Sequence, residues 1–208
     1  MSATSPPDLL PRGPHRLSRE EVVASQRGRL LQATIDVVAE RGYARCAVAD
    51  VIARAGVSRG TFYEQFTDKE DCFLAAYDTS VELLLGRLAE ATEATAPGTG
   101  SFAALIDGYL ATIAAEPVAA RIFLIEVYSA GPAALARRFA VLQRFVDLIA
   151  QMFKGAPGWP TDPTAHRLRS EALVGALSSM VTTRLACGRA SSVSELRDTM
   201  LVLAGVTV

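Results

Sequence analysis

Between residues 21 and 41, Leu30, Leu31, Thr34, Ile35, Val37 and Val38 recur at three- and four-residue spacing, with polar positions between them. That period places them on one face of a helix. Gly42, after Glu40 and Arg41, is a natural stop, because glycine accepts the backbone that ends a helix. A second short helix fits Val48–Ala55, with Val51, Ile52 and Ala55 on one side and Gly56 closing it. Ser58 can cap a third, over Arg59 to Phe66, by accepting an orphan amide hydrogen. Thr67-Asp68 is another cap. A long helix over about residues 69–92 turns Phe73, Leu74, Tyr77, Val81, Leu84, Leu85 and Leu88 inward. Beyond the loop ATAPGTGS at 94–101, helical spacing predicts segments over 102–115, 117–129, 132–153, 163–187 and 192–204. Pro117 and Pro132 fall where first-turn prolines are tolerated, and KGAPGWPTDPT at 154–164 reads as a loop. No stretch alternates as a strand does. The expected fold is all-α, with about nine helices.

Composition narrows this little. Half of the 208 residues are hydrophobic and 21% are charged, enough for a sizeable core. A net charge of −1 excludes a uniformly basic surface but not a local basic face. Residues 1–20 hold Pro6, Pro7, Pro11 and Pro14, a density that denies helix and core, so a mobile tail is expected. Its Arg12, His15, Arg16 and Arg19 allow two readings, a solvated tail or a basic arm reaching DNA. Cys46, Cys72 and Cys187 are odd in number and far apart, which argues against a disulfide framework or metal site. With no signal-peptide pattern and no apolar run of membrane length, a soluble cytoplasmic protein without cofactor, metal or membrane partner is expected.

The chemistry concentrates in residues 47–66. A short helix, a tight turn at Gly56 and a second short helix make a helix-turn-helix, locked by Val51, Ile52, Ala55, Val57, Phe62 and Phe66. Ser58, Arg59, Gly60, Thr61, Tyr63, Glu64 and Gln65 are left outside. In this motif the second helix enters the major groove. Arg59 suits guanine, Gly60 permits close backbone approach, and the Thr61 and Tyr63 hydroxyls suit phosphates. The competing reading is a helical hairpin whose polar face is merely hydrated.

An amphipathic helix ending in ERGY, this motif, and then AGVSRGTFYEQFTDKEDCF resemble the tetracycline-repressor-like family of bacterial transcription regulators. The resemblance covers roughly residues 25–78. It implies a DNA-binding head over 21–68, a ligand-binding and dimerisation domain over 69–208, and a homodimer on double-stranded operator DNA. Ser58, Arg59, Gly60, Thr61 and Tyr63 fall on DNA-touching positions, and Lys69 on a phosphate-contacting one. Cys46-Ala47 departs from the Thr/Ser found before the second helix in this family. No phosphate contact is therefore carried onto Ala47, and Arg45 is the candidate substitute. Cys46 reads as a small buried residue, with a thiol sensor as the other reading.

The larger half must build a pocket and a subunit interface. Leu173, Leu177 and Met180 make one stripe, and Val174, Val181 and Leu185 another. A helix apolar on two sides has two neighbours. By the resemblance the last two helices pair across a two-fold axis, which makes Val174, Leu177, Val181, Leu185, Leu196 and Met200 interface candidates, with internal core as the other reading. For the effector, Tyr109, Phe123, Tyr128 and Phe139 are candidate lining, with Glu126 and Arg184 as polar anchors or structural charges. No HExxH, Walker, dinucleotide or nucleophile-elbow pattern appears, so no enzyme is expected. The expected mode is a repressor released from a pseudo-palindromic operator by a small, largely apolar ligand. The alternative is a helical protein-interaction module that does not bind DNA.

Overall fold

The structure, a computed structural model, describes residues 18–93, 95 and 98–206; the tail as far as residue 17 lies outside the described residues. These residues are all-α, with nine α-helices and no strand among them. They form two compact units that meet in the chain between Ala76 and Tyr77. No described helix is long and apolar enough to cross a membrane.

The first unit holds α1 (Arg19–Arg41), α2 (Val48–Ala55), α3 (Arg59–Tyr63) and the start of α4 (Lys69–Glu93). Its helix ends are fixed by local chemistry. Ser18 and Glu21 form a capping box at the start of α1. Gly56, at φ 63° and ψ 39°, closes α2 in the left-handed region, which only glycine enters without steric cost. The Ser58 hydroxyl accepts the Thr61 N–H at 3.0 Å. At α4, Asp68 accepts the Asp71 N–H and Asp71 accepts the Thr67 N–H, both at 2.9 Å. Leu30, Val37, Val38, Val51, Phe62, Phe66 and Phe73 are all buried in this unit. α3 is shorter than its apolar spacing predicts: it ends at Tyr63 and a turn carries the chain to Phe66, which is nevertheless buried.

Cys46 and Cys72 are buried in this unit, and Cys187 of the second unit is exposed. Burial raises the Cys46 thiol, and pushes Cys72 up to about 11 although Thr34 hydrogen-bonds it. Thiolate is the reactive form. An iodoacetamide time course read by mass spectrometry should therefore modify Cys187 rapidly, and the other two only on unfolding. Fast labelling of Cys46 would revive the sensor reading.

The second unit holds the rest of α4 with α5 (Thr99–Ala115), α6 (Pro117–Leu124), α7 (Pro132–Met152), α8 (Pro163–Ala186) and α9 (Leu196–Leu203). Pro117, Pro132 and Pro163 each open a helix. Two boundaries differ from the expected ones. The helix expected over 117–129 breaks at Ile125 into a 3-10 turn, Glu126–Ser129, in which Val127 is buried and Tyr128 exposed. Likewise α9 is preceded by a 3-10 stretch, Ala190–Glu195, that buries Val193. The loop before α8 is pinned by Trp159, whose ring stacks on Phe153 at 4.0 Å and whose Nε1 donates to the Ala204 carbonyl at 3.2 Å.

The two apolar sides of α8 both have partners within the protomer, because α8 packs on α6, α7 and α9. Val174, Val181, Leu185, Leu196 and Met200 are buried in this core, with Leu177 partly buried against it. Already covered, those five side chains are unavailable to a second subunit. The outward face of α8 carries Leu168, Ala172, Gly175, Ser179 and Thr183, and α9 exposes Val202 and Leu203.

Candidate functional site

The helix-turn-helix sets two neighbouring aromatics in opposite roles. Phe62 is 0% exposed, whereas Tyr63 is 47% exposed. The buried ring fixes the orientation of α3, which turns Ser58, Arg59, Gly60 and Tyr63 to solvent and leaves Thr61 half-exposed. The Arg59 guanidinium lies 5.5 Å from the centre of the Tyr63 ring. The Ser58 and Thr61 hydroxyls lie 2.9 Å apart and share a hydrogen. Gly60 has room for a side chain within the protein, since an added Cβ would meet only Ser58 Oγ, at 3.6 Å. Its lack of one therefore serves no internal packing.

The remaining candidates gather before α2. Lys69 Nζ donates to the carbonyls of Cys46 at 3.1 Å and Tyr43 at 3.3 Å, and lies 4.5 Å from the centre of the Tyr43 ring. Burial, with Glu70 and Asp68 nearby, pushes the Tyr43 phenol up to about 12, so it stays neutral. Arg45 Nε donates to the Arg41 carbonyl at 2.8 Å. Ala47 supplies no capping side chain, but its N–H donates to Asp50 at 3.2 Å, and Asp50 pairs with Arg41 at 2.7 Å. The carboxylate half of a capping box is thus present and the hydroxyl half is absent. Arg54 pairs with Glu40 and Asp36. Among the described residues no ion pair involves Arg45, Arg59 or Lys69. Arg19, Arg27 and Arg29 of this unit likewise have no carboxylate partner, so the unpaired cations include, but are not limited to, the three that the sequence assigns to DNA.

In the second unit α4, α5, α6 and α7 line a cavity of about 810 Å³, its open mouth included. Val81, Leu84, Ile113 and Leu124 give it mainly apolar walls, and Arg87 and Glu116, paired at 3.3 Å, stand at an exposed edge. Of the six sequence candidates, Tyr109 and Phe123 line it. Tyr128 and Phe139 are exposed and Glu126 is half-buried in its 3-10 turn, none of them among the lining residues. Arg184 lies elsewhere, its Nε donating to the Ser192 carbonyl at 3.2 Å. Burial pushes the Tyr109 phenol up to about 12 and raises that of Tyr77, in each case opposed by Arg138.

Arg138 is the cavity residue that sequence reasoning missed. It follows Arg137 and precedes exposed Phe139, so it looks like part of a solvated face. The signal is its register: Ala134, Arg138, Leu142, Phe145 and Ile149 form one stripe, and an arginine within an apolar stripe is a buried charge.

Comparison with known proteins places this geometry. The profile of the bacterial regulatory proteins of the tetR family matches residues 30–76. The HTH-type transcriptional activator FasR of Mycolicibacterium smegmatis is 25% identical over 155 residues, covering 74% of this chain and 67% of that one. An uncharacterized HTH-type transcriptional regulator of Mycobacterium bovis is 45% identical over 78 residues, which are 38% of this chain and 36% of the relative. Among solved structures, the transcriptional regulator FadR of Bacillus subtilis in complex with stearoyl-CoA superposes with a TM-score of 0.75 at 19% identity, covering 85% of this chain and 96% of that one. Residues 30–76 are thus a helix-turn-helix of the type found in bacterial regulatory proteins of the tetR family, and the chain as a whole is similar to DNA-binding transcriptional regulators rather than to enzymes.

Proposed function

We propose that the protein is a ligand-responsive repressor, a homodimer whose two heads read successive major grooves of a pseudo-palindromic operator, about 34 Å or somewhat more apart. The observation that carries this reading is the split of α3 between buried Phe62 and the outward Ser58, Arg59, Gly60 and Tyr63. In it Arg59 reads a guanine edge, Gly60 lets the backbone approach, and Ser58, Thr61 and Tyr63 hold phosphates. Lys69 holds a further phosphate, and Arg45 replaces the phosphate contact that Ala47 lacks. Residues 21–68 act as the DNA-binding domain and 69–208 as the effector and dimerisation domain.

The cavity is the effector site, and the stearoyl-CoA bound by the FadR neighbour supports a largely apolar ligand. Coupling runs along α4, which carries Lys69, Cys72 and Phe73 of the head and then Tyr77, Val81 and Leu84 of the cavity wall. The ligand shifts the equilibrium only if it binds the DNA-free arrangement more tightly. The similar protein FasR is named an activator, and activation is the other mode that the same DNA-reading head could serve. Footprinting on DNA upstream of the protein's own coding sequence tests the proposal. Two related half-sites about one helical turn apart are expected to be protected; a single unpaired footprint, or none, contradicts it.

The subunit interface is assigned to the outward face of α8 and α9, because the sequence-predicted set is internal. Val202, 63% exposed, is its test residue. Val202→Arg should convert the dimer to monomer in sedimentation velocity without lowering helicity, and an unchanged dimer would move the interface elsewhere.

A further inference from the structure

We propose that the cavity takes an apolar molecule bearing a carboxylate, and that Arg138 within it binds the carboxylate. The inference rests on the cavity being an effector site and adds the chemical class of the effector and its orientation.

Arg138 is 4% exposed and is the only fully buried charged side chain among the described residues. An unpaired buried charge is costly and needs a partner. Five other arginines of the unit have carboxylates: Arg87 has Glu116, Arg137 has Asp78, Arg144 has Glu82, Arg167 has Asp147 and Arg197 has Asp107, while Arg121, Arg169, Arg184 and Arg189, none of them as buried as Arg138, have none. All five lie at the surface, where pairing gains least. Arg138 has no carboxylate within ion-pair distance among the described residues. Its Nη2 donates to Ser178 Oγ at 2.6 Å, the neutral Tyr77 phenol lies nearby, and its Nε is buried without a hydrogen-bond partner. The guanidinium is therefore anchored to α8 by one hydrogen bond and keeps a donor and its whole charge unanswered.

Its position determines what would answer it. Arg138 lines this cavity and also a smaller apolar one, and Tyr109 and Phe145 line both. A ligand that brings an anion there must have an apolar body for the surrounding walls. A planar carboxylate matches the guanidinium fork and supplies the missing charge together with an acceptor for Nε. An alcohol or thioester supplies an acceptor but leaves the charge uncompensated. The charged end thus lies inside, against Arg138, and not at the exposed Arg87–Glu116 edge.

The test is a calorimetric titration of the full chain with straight-chain carboxylates of increasing length, each beside the alcohol and the N-acetylcysteamine thioester of the same chain. The acid is expected to bind at least about tenfold more tightly than either neutral partner, as a charge-assisted pair requires. Arg138→Gln should abolish that preference while still binding the alcohol. If that variant does not fold, Arg138→Lys, which keeps the charge, should retain a preference for the acid. An acid that binds no better than its alcohol or thioester overturns this inference alone. Failure of every compound at every length overturns the effector-site reading and this inference with it.

Discussion

Phe62→Ala is expected to unfold the DNA-reading unit or leave it marginal, at a cost of about 3–5 kcal/mol. The phenyl ring is fully buried, packed edge-on to Tyr63 at 5.3 Å and tilted against Phe66 at 5.8 Å. Its removal loses the transfer energy of the ring and leaves a void among helices that can collapse only by moving α3. The loss is a large share of the roughly 5–15 kcal/mol that stabilises a typical domain. Tyr63→Phe is the control: it changes the adjacent exposed ring and should stay within about 0.5 kcal/mol of wild type. Urea unfolding followed by circular dichroism should give Phe62→Ala an early transition for the head, while the second unit unfolds as in the wild type. Equal effects of the two substitutions would contradict the assignment of inward and outward faces.

The second large effect is on binding without folding. Arg59→Ala combined with Tyr63→Phe should weaken operator binding by about ten- to a hundredfold per head, since one bidentate arginine–base pair is worth roughly 1–3 kcal/mol. In the free protein Arg59 has no ion pair among the described residues, and its one recorded contact is the Tyr63 ring, so little stability is lost with it. The readout is fluorescence anisotropy on the footprinted DNA, with the unfolding midpoint measured in parallel. Reduced discrimination between the operator and a site changed at one guanine would tie Arg59 to base reading; a uniform loss over all sequences would assign it to phosphate. Unchanged affinity would remove α3 from the interface.

Much of this was legible because the informative signals are local. Gly42 and Gly56 stop helices by their own backbone freedom, Ser58 and Asp68 cap by their own side chains, and Pro117, Pro132 and Pro163 start helices by a fixed φ. Such features depend on three or four neighbours in the chain. What the sequence hid depends on neighbours far along it. The break at Ile125 accompanies the burial of Val127, which periodicity alone does not reveal. The two apolar sides of α8 are real, but periodicity cannot tell a neighbouring helix of the same chain from one of a second subunit, and here both sides are internal. Phe139 and Arg138 show the same limit at one-residue resolution. Hydrophobicity favours Phe139 as cavity lining, yet the rotation of α7 exposes it and carries Arg138 inward.

The central claim is that the first unit grips DNA through charges it does not neutralise internally. Its most direct test is a salt titration of the wild-type protein on DNA from its own upstream region, read by anisotropy beside a scrambled duplex. Arg45, Arg59 and Lys69, joined by their counterparts in a second subunit, would displace condensed counterions. Log affinity should therefore fall linearly with log salt, by about 0.9 for each phosphate neutralised, and remain higher for the upstream region than for the scrambled duplex at every salt concentration. Affinity that is flat with salt, or equal for the two duplexes throughout, would contradict the account.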